Sequence, residues 1–289
     1  MDWKSVADRI VGVIDLKNHV AVHGIAGQRH LYRPVELSRF ASGSSSRTID
    51  GDAIGLINHY RQRGIHRFYV ADLDALSGGA VQTRRLEDLI ADSHAHHRRP
   101  GEQWILDVGL NENVDADDLA WLLDLNRRSC GSISWVVASE SSLSDQTVSS
   151  LAKTIDPASM VLGIDLRQGK LNVGTTGFAG SKKNDPSADP IDQRTVTQRT
   201  VTQRTITQRT LDQWVESGRE AGVEAALVLD VSAVGTASGP AAIDCCQQLH
   251  QRFPSWRLIS GGGCRSAADV ATYLEAGCNE CLVATALHR

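Results

Sequence analysis

Five aspartates in this chain each close a short apolar run: Asp15 after Val13-Ile14, Asp72 after Val70-Ala71, Asp107 after Ile105-Leu106, Asp165 after Gly163-Ile164 and Asp230 after Val228-Leu229. A carboxylate at the end of a buried strand is held rigidly and partly desolvated, so burial and neighbouring charges can tune its proton affinity. Gathered around one opening, such groups divide acid and base roles and carry a proton through an enol or enamine intermediate. Asp15 and Asp165 lie within apolar strands and Asp230 stands where a strand breaks into a loop, so these three are the expected catalytic residues. Asp72 and Asp107 read equally well as helix N-caps or loop-fixing acceptors.

Glycine-rich turns follow the last three apolar runs. Gly235, Thr236 and Gly239 follow Asp230, the run Ser260-Gly261-Gly262-Gly263-Cys264-Arg265-Ser266 opens a helix, and Ala284-Thr285-Ala286-Leu287 follows the final run. Glycines let main-chain N–H groups approach phosphate oxygens, and a helix N-terminus adds a favourable dipole. The expected phosphate-binding residues are therefore Gly235, Thr236, Gly239, Gly261, Gly262, Gly263, Ala284 and Thr285.

The elements that must position these groups read as alternating strands and helices. Apolar runs recur at 10–16, 67–72, 103–109, 133–138, 160–166, 225–231, 256–260 and 280–284, with amphipathic patterns such as 53–64, 115–128, 211–222 and 267–277 between them. That alternation implies a parallel sheet. Eight strands, none followed by a Gly-x-Gly-x-x-Gly turn with a ribose-binding acid, predict a (βα)8 TIM barrel rather than a doubly wound sheet, over a single domain spanning 1–289. Its C-terminal face would carry the aspartates.

Two segments depart from a regular barrel. Residues 174–210, after the fifth strand, hold repeats in which Val196, Val201, Ile206 and Leu211 recur every fifth residue, a period fitting neither helix nor strand. The segment reads as a low-complexity loop, or else as a lid bringing Arg194, Arg199, Arg204 and Arg209 toward an anion. The chain also stops at Arg289, just after the eighth strand, so a last outer helix is missing. Residues 2–9 or a second subunit would cover the seam, and a homo-oligomer is one expectation.

Composition narrows the partners. With 30 Lys+Arg against 34 Asp+Glu, a formal net charge of -4 offers no broad basic surface, which argues against nucleic acid and anionic membranes. No apolar run reaches a membrane span and the N-terminus lacks a signal-peptide core, so a cytoplasmic enzyme with a phosphorylated small-molecule substrate is expected. No cofactor or metal is expected. Six cysteines are too sparse for a disulfide framework. Cys278 and Cys281 have ligand spacing but read better as buried thiols. His94, His96 and His97 read as a solvated helix end. His19, His23 and His30 follow the first strand, and one of them could reach the barrel mouth.

Taken in order, these residues resemble the histidine-biosynthesis barrels, the ProFAR isomerase (HisA) and cyclase (HisF) group. Val13-Ile14-Asp15-Leu16 with Val20 and Gly24 resembles the family's first-strand motif, and Tyr69-Val70-Ala71-Asp72-Leu73-Asp74-Ala75 its second. Ile164-Asp165-Leu166-Arg167 with Gly169-Lys170 is similar to the fifth, and Leu229-Asp230-Val231-Ser232, Gly235-Thr236 and Gly239-Pro240 to the sixth. The resemblance implies that Asp15 is a general base, that Asp165 is a second active-site aspartate and that strands seven and eight hold a phosphate.

The departures are also informative. Where the family has an aspartate serving as general acid before Gly-Thr, this chain has Val234, which cannot donate a proton. The second phosphate site is replaced by Val108-Gly109-Leu110-Asn111-Glu112 and Ala138-Ser139, where Glu112 would repel a phosphate. The chain thus resembles a diverged HisA-like paralogue, similar to the HisA-related proteins of organisms that make methanopterin-type cofactors. It implies an isomerase or related lyase acting on a phosphorylated sugar or aminosugar, with Asp165 or Asp230 as the acid. A conventional ProFAR isomerase and a non-catalytic barrel that binds a phosphometabolite are the alternatives.

Overall fold

Burial along the apolar runs alternates between two destinations, and that alternation builds the molecule. A computed structural model describes residues 2–39, 49–96 (main chain alone for 92–96), 101–173, 210–236 and 238–288. The strands are β1 (Ile10–Lys17), β2 (Val20–Val22), β3 (Arg67–Asp72), β4 (Gln103–Asp107), β5 (Ile133–Ala138), β6 (Met160–Arg167), β7 (Lys170–Leu171), β8 (Ala225–Asp230), β9 (Arg257–Gly261) and β10 (Glu280–Val283). Eight of them run parallel in the order β1-β3-β4-β5-β6-β8-β9-β10. The pairs Ile10↔Cys281, Val11↔Leu282 and Gly12↔Val283 close the ring, so this is the expected TIM barrel. The remaining two, β2 and β7, are antiparallel hairpin returns that the sequence reading did not contain; they extend β1 and β6 at the C-terminal face.

Val11, Tyr69, Ala71, Ile105, Val136, Val161, Leu227, Ile259 and Leu282 fill the inside of the barrel. Their neighbours in the alternation, among them Ile10, Ile14, Phe68, Trp104, Trp135, Leu162 and Val228, face the outer helices. Those helices are α1 (Ala53–Gln62), α2 (Thr83–His96), α3 (Ala116–Arg128), α4 (Gln146–Leu151), α5 (Leu211–Glu220), α6 (Ile243–Arg252) and α7 (Ala267–Glu275). Each of the four helical patterns read from the sequence is present. On α5, Thr210 and Gln213 form a reciprocal capping box, and the buried Trp214 indole donates to the Gly163 carbonyl at 2.9 Å, pinning the helix to β6.

After β10 the chain runs into a 3-10 turn, Thr285–His288. Leu287 is buried there, its carbonyl in a 2.9 Å hydrogen bond with the His59 ring, while the Tyr60 hydroxyl meets His288 Nε2 at 2.8 Å. At the other end of the chain, the 3-10 helix Trp3–Arg9 packs against α7 and buries Val6, so residues 3–9 cover part of the seam. Cys278 and Cys281 are buried thiols. The repeats at 174–209, with their four arginines, and the side chains of His94, His96 and His97 lie outside the described residues. Among the described residues, no helix is long and apolar enough to cross a membrane.

Candidate functional site

A cavity of about 610 Å³ opens at the C-terminal ends of the strands. Which aspartates enter it follows from strand parity. Asp15 is in step with Val11 and Val13, Asp107 with Ile105, and Asp165 with Val161, all on the interior phase, and all three line the cavity. Asp72 is in step with Phe68 and Val70, and Asp230 with Ala226 and Val228, on the helix-facing phase; neither lines it.

The two excluded carboxylates serve the loops. Asp72 accepts from the main-chain N–H groups of Asp74, Ala75 and Gln82 and from the Gln82 side chain, fixing the segment that leads into α2. Asp230 accepts from Gln168 N at 3.3 Å, Gly169 N at 2.9 Å, Ser232 N at 3.0 Å and the Ser232 hydroxyl. Burial alone would raise the Asp230 pKa, but these donors outweigh it and hold the carboxyl below its ordinary value. Asp230, expected among the catalytic residues, is therefore placed as an anchor of the β6–β7 turn, because its side chain leaves β8 on the outer phase.

The three interior aspartates sit in different fields. Burial pushes Asp15 up to about 7, opposed by the Arg29 guanidinium. Its carboxylate accepts no hydrogen bond from the described residues, and Gly24 is wedged between it and a methyl of Val234. Asp165 is raised well above its ordinary value by burial and then by the charges of Glu140 and Asp107, against donation from Glu140 N and the Ser139 hydroxyl, both at 3.3 Å to Oδ2. Asp107 is raised to about 7 by burial and Glu140, and accepts from the Tyr69 hydroxyl at 3.0 Å.

The glycine loops form the opposite wall. Gly235, Thr236, Gly262, Gly263, Ala284 and Thr285 line the cavity; Gly239 and Gly261 do not. Gly261 ends β9 with its Cα against Leu282, and Gly239 backs onto Gly263 and Arg265. Two close approaches explain why glycine is needed: a Cβ on Gly235 would collide with the Gly24 carbonyl, and one on Gly263 with the Gly239 carbonyl. The loops after β2, β8 and β9 are thereby locked together around the mouth.

Sequence reading missed the cross-links that shape the site. Arg29, in the loop after β2, donates to the Leu76 carbonyl at 2.9 Å and pairs with Glu140 at 3.0 Å. Tyr32, Tyr69, Glu140, Arg167 and His30 also line the cavity. For Tyr69 and Arg167, parity and position within their motifs were available signals; the long-range reach of Arg29 had none. Glu112 is corrected: it turns away to accept from Leu143 N, Ser144 and Thr147, and Glu140 supplies the negative charge on that side. Of the three early histidines, His30 reaches the cavity, whereas His23 packs on His288 with ring centroids 5.2 Å apart. Among the described residues no three His, Cys, Asp or Glu side chains converge to hold a metal ion.

Comparison with known proteins agrees with this architecture. The family described as "Histidine biosynthesis protein" matches residues 9–289. An uncharacterized protein of Methanocaldococcus jannaschii is 23% identical over 282 residues, covering 97% of this chain and 93% of the relative.

Proposed function

Since this chain belongs to the histidine biosynthesis protein family, we propose that it is a HisA-like isomerase, performing an Amadori-type aldose–ketose isomerisation, or a related elimination, on a phosphorylated sugar or aminosugar. The observation that carries this reading is the pairing of Asp15 and Asp165 in one cavity under opposite influences, a guanidinium for the first and carboxylates for the second. Near neutral pH, Asp15 is poised between its two protonation states, and Asp165, raised well above its ordinary value, favours its proton-bearing form more than a free carboxyl does, which is the division an acid–base pair requires.

In the forward step Asp165 donates its proton to the ring oxygen as the sugar ring opens. Asp15 then removes the C2 proton, leaving an enolamine or enediol. Return of a proton to C1, with loss of the O2 proton, completes the ketose. Arg29 orders the mouth, and Val234 makes the Asp15 environment apolar rather than supplying an acid. One phosphate is held against Gly235, Thr236, Gly262, Gly263, Ala284 and Thr285, where main-chain amides at a helix-like turn suit an anion. The carboxylates across the cavity disfavour a second phosphate, which favours a one-phosphate substrate over conventional ProFAR.

Calorimetric titration of ProFAR and of monophosphosugars, followed by NMR of the mixtures for ketose formation, tests the proposal. Monophosphate binding lost in Gly262→Asp, with isomerisation, supports it; tight ProFAR binding restores the conventional reaction. Binding without turnover of any phosphosugar favours a ligand-binding barrel.

A further inference from the structure

The cavity is chemically two-ended, with glycine loops at one end and a cluster of carboxylates at the other. On the β4–β6 side it presents Asp107, Glu140 and Asp165, with Asp107 and Asp165 only 5% and 7% exposed. Glu140 has a cation of its own, the Arg29 guanidinium at 3.0 Å, and a further donor in Asn172 at 3.3 Å. The Asp165 Oδ1 has no partner among the described residues, so a side chain that is almost wholly buried keeps one oxygen for something in the cavity. Among the described residues Asp107 has two neutral donors, Tyr69 Oη at 3.0 Å and Gly109 N at 3.3 Å, and no ion pair, the Arg29 guanidinium lowering its pKa without contacting it. A buried carboxylate without a cation is held at a cost, and a bound positive charge would remove that cost.

Resting on the one-phosphate reading, we propose that the substrate carries an amino group at the end opposite its phosphate, bound as an ammonium against Asp107 with Glu140 beside it. Asp107 is then a specificity residue, and the acid–base pair Asp15 and Asp165 is separate from it. Two cations, the ammonium and Arg29, then offset two carboxylates, Asp107 and Glu140. A second phosphate at this end would face the same carboxylates, with Arg29 already committed to Glu140. Because burial and Glu140 raise Asp107 to about 7, it is only partly ionised in the empty site, and ammonium binding at pH 7 drives a proton off it.

The test compares 1-amino-1-deoxyfructose 6-phosphate, fructose 6-phosphate and fructose 1,6-bisphosphate by calorimetry on the whole protein, in two buffers of different ionisation heat. The aminosugar phosphate is expected to bind at least tenfold more tightly than its hydroxyl analogue, with net proton release, and the bisphosphate more weakly than either. In Asp107→Asn the preference and the proton release both vanish while fructose 6-phosphate still binds; Glu140→Gln reduces the preference as an independent check. Equal affinity for the amino and hydroxyl ligands, or tightest binding by the bisphosphate, overturns this inference and leaves the monophosphate site standing. Failure of all three ligands to bind overturns the phosphate site and this inference with it.

Discussion

The guanidinium of Arg29 meets the carboxylate of Glu140 at 3.0 Å, joining the loop after β2 to the loop after β5 across the mouth of the barrel. Burial raises the pKa of all three interior aspartates, and that pair modulates the rise. Arg29 opposes the rise in the pKa of Asp15, while Glu140 drives those of Asp165 and Asp107 upward.

Replacing Asp15 by asparagine should lower turnover by about a hundredfold to ten-thousandfold, the usual range for loss of a positioned base. Circular dichroism of the variant should match the parent; substantial retained isomerisation would remove Asp15 from the mechanism.

The same residue has a pH signature. A carboxyl raised to about 7 in the folded protein binds a proton more tightly there than in the unfolded chain, so it costs no stability below its ordinary value near 3.8 and a growing amount as pH rises through about 7. Asp15→Asn and Asp107→Asn should therefore raise Tm at pH 8 and leave it nearly unchanged at pH 4. Equal shifts at both pH values would contradict the buried-carboxyl description.

Asp230 should behave in the opposite way. Its folded pKa is held below the ordinary value, so its contribution is present above that value and disappears as pH falls through the folded pKa. Urea denaturation of Asp230→Ala at pH 7 should show a loss of about 3 kcal/mol, from donors left unpaired at the β6–β7 turn. Ligand affinity corrected for the folded fraction should stay within about threefold of the parent, since affinity differences below 1.4 kcal/mol are less than tenfold. A selective loss of affinity in a fully folded variant would return Asp230 to the site.

Removing the cation should move the pH profile. In Arg29→Gln, Asp15 loses the charge that opposes its burial, so the acidic limb of kcat/KM should shift to higher pH. An unshifted limb would mean that Asp15 is not the base observed in that limb.

Much of this was legible without coordinates. Alternating apolar runs and helical patterns determined the barrel, because eight strands with crossover helices have few ways to bury both faces, and the eight strand positions agree with the structure to within about two residues, ordinary uncertainty for element ends. Strand parity, also present in the sequence, already separates Asp15, Asp107 and Asp165 from Asp72 and Asp230, since side chains alternate strictly along a strand. The hairpin returns β2 and β7 were not legible, because runs of two or three residues carry no periodicity. Tertiary structure alone decided the rest. The Arg29–Glu140 pair spans 111 positions, Gly235 meets Gly24 across the mouth, and Asp165 acquires its proton affinity from neighbours on other strands. Electrostatic fields and close approaches depend on distances through space, and a linear sequence fixes which groups exist long before it reveals which of them face one another.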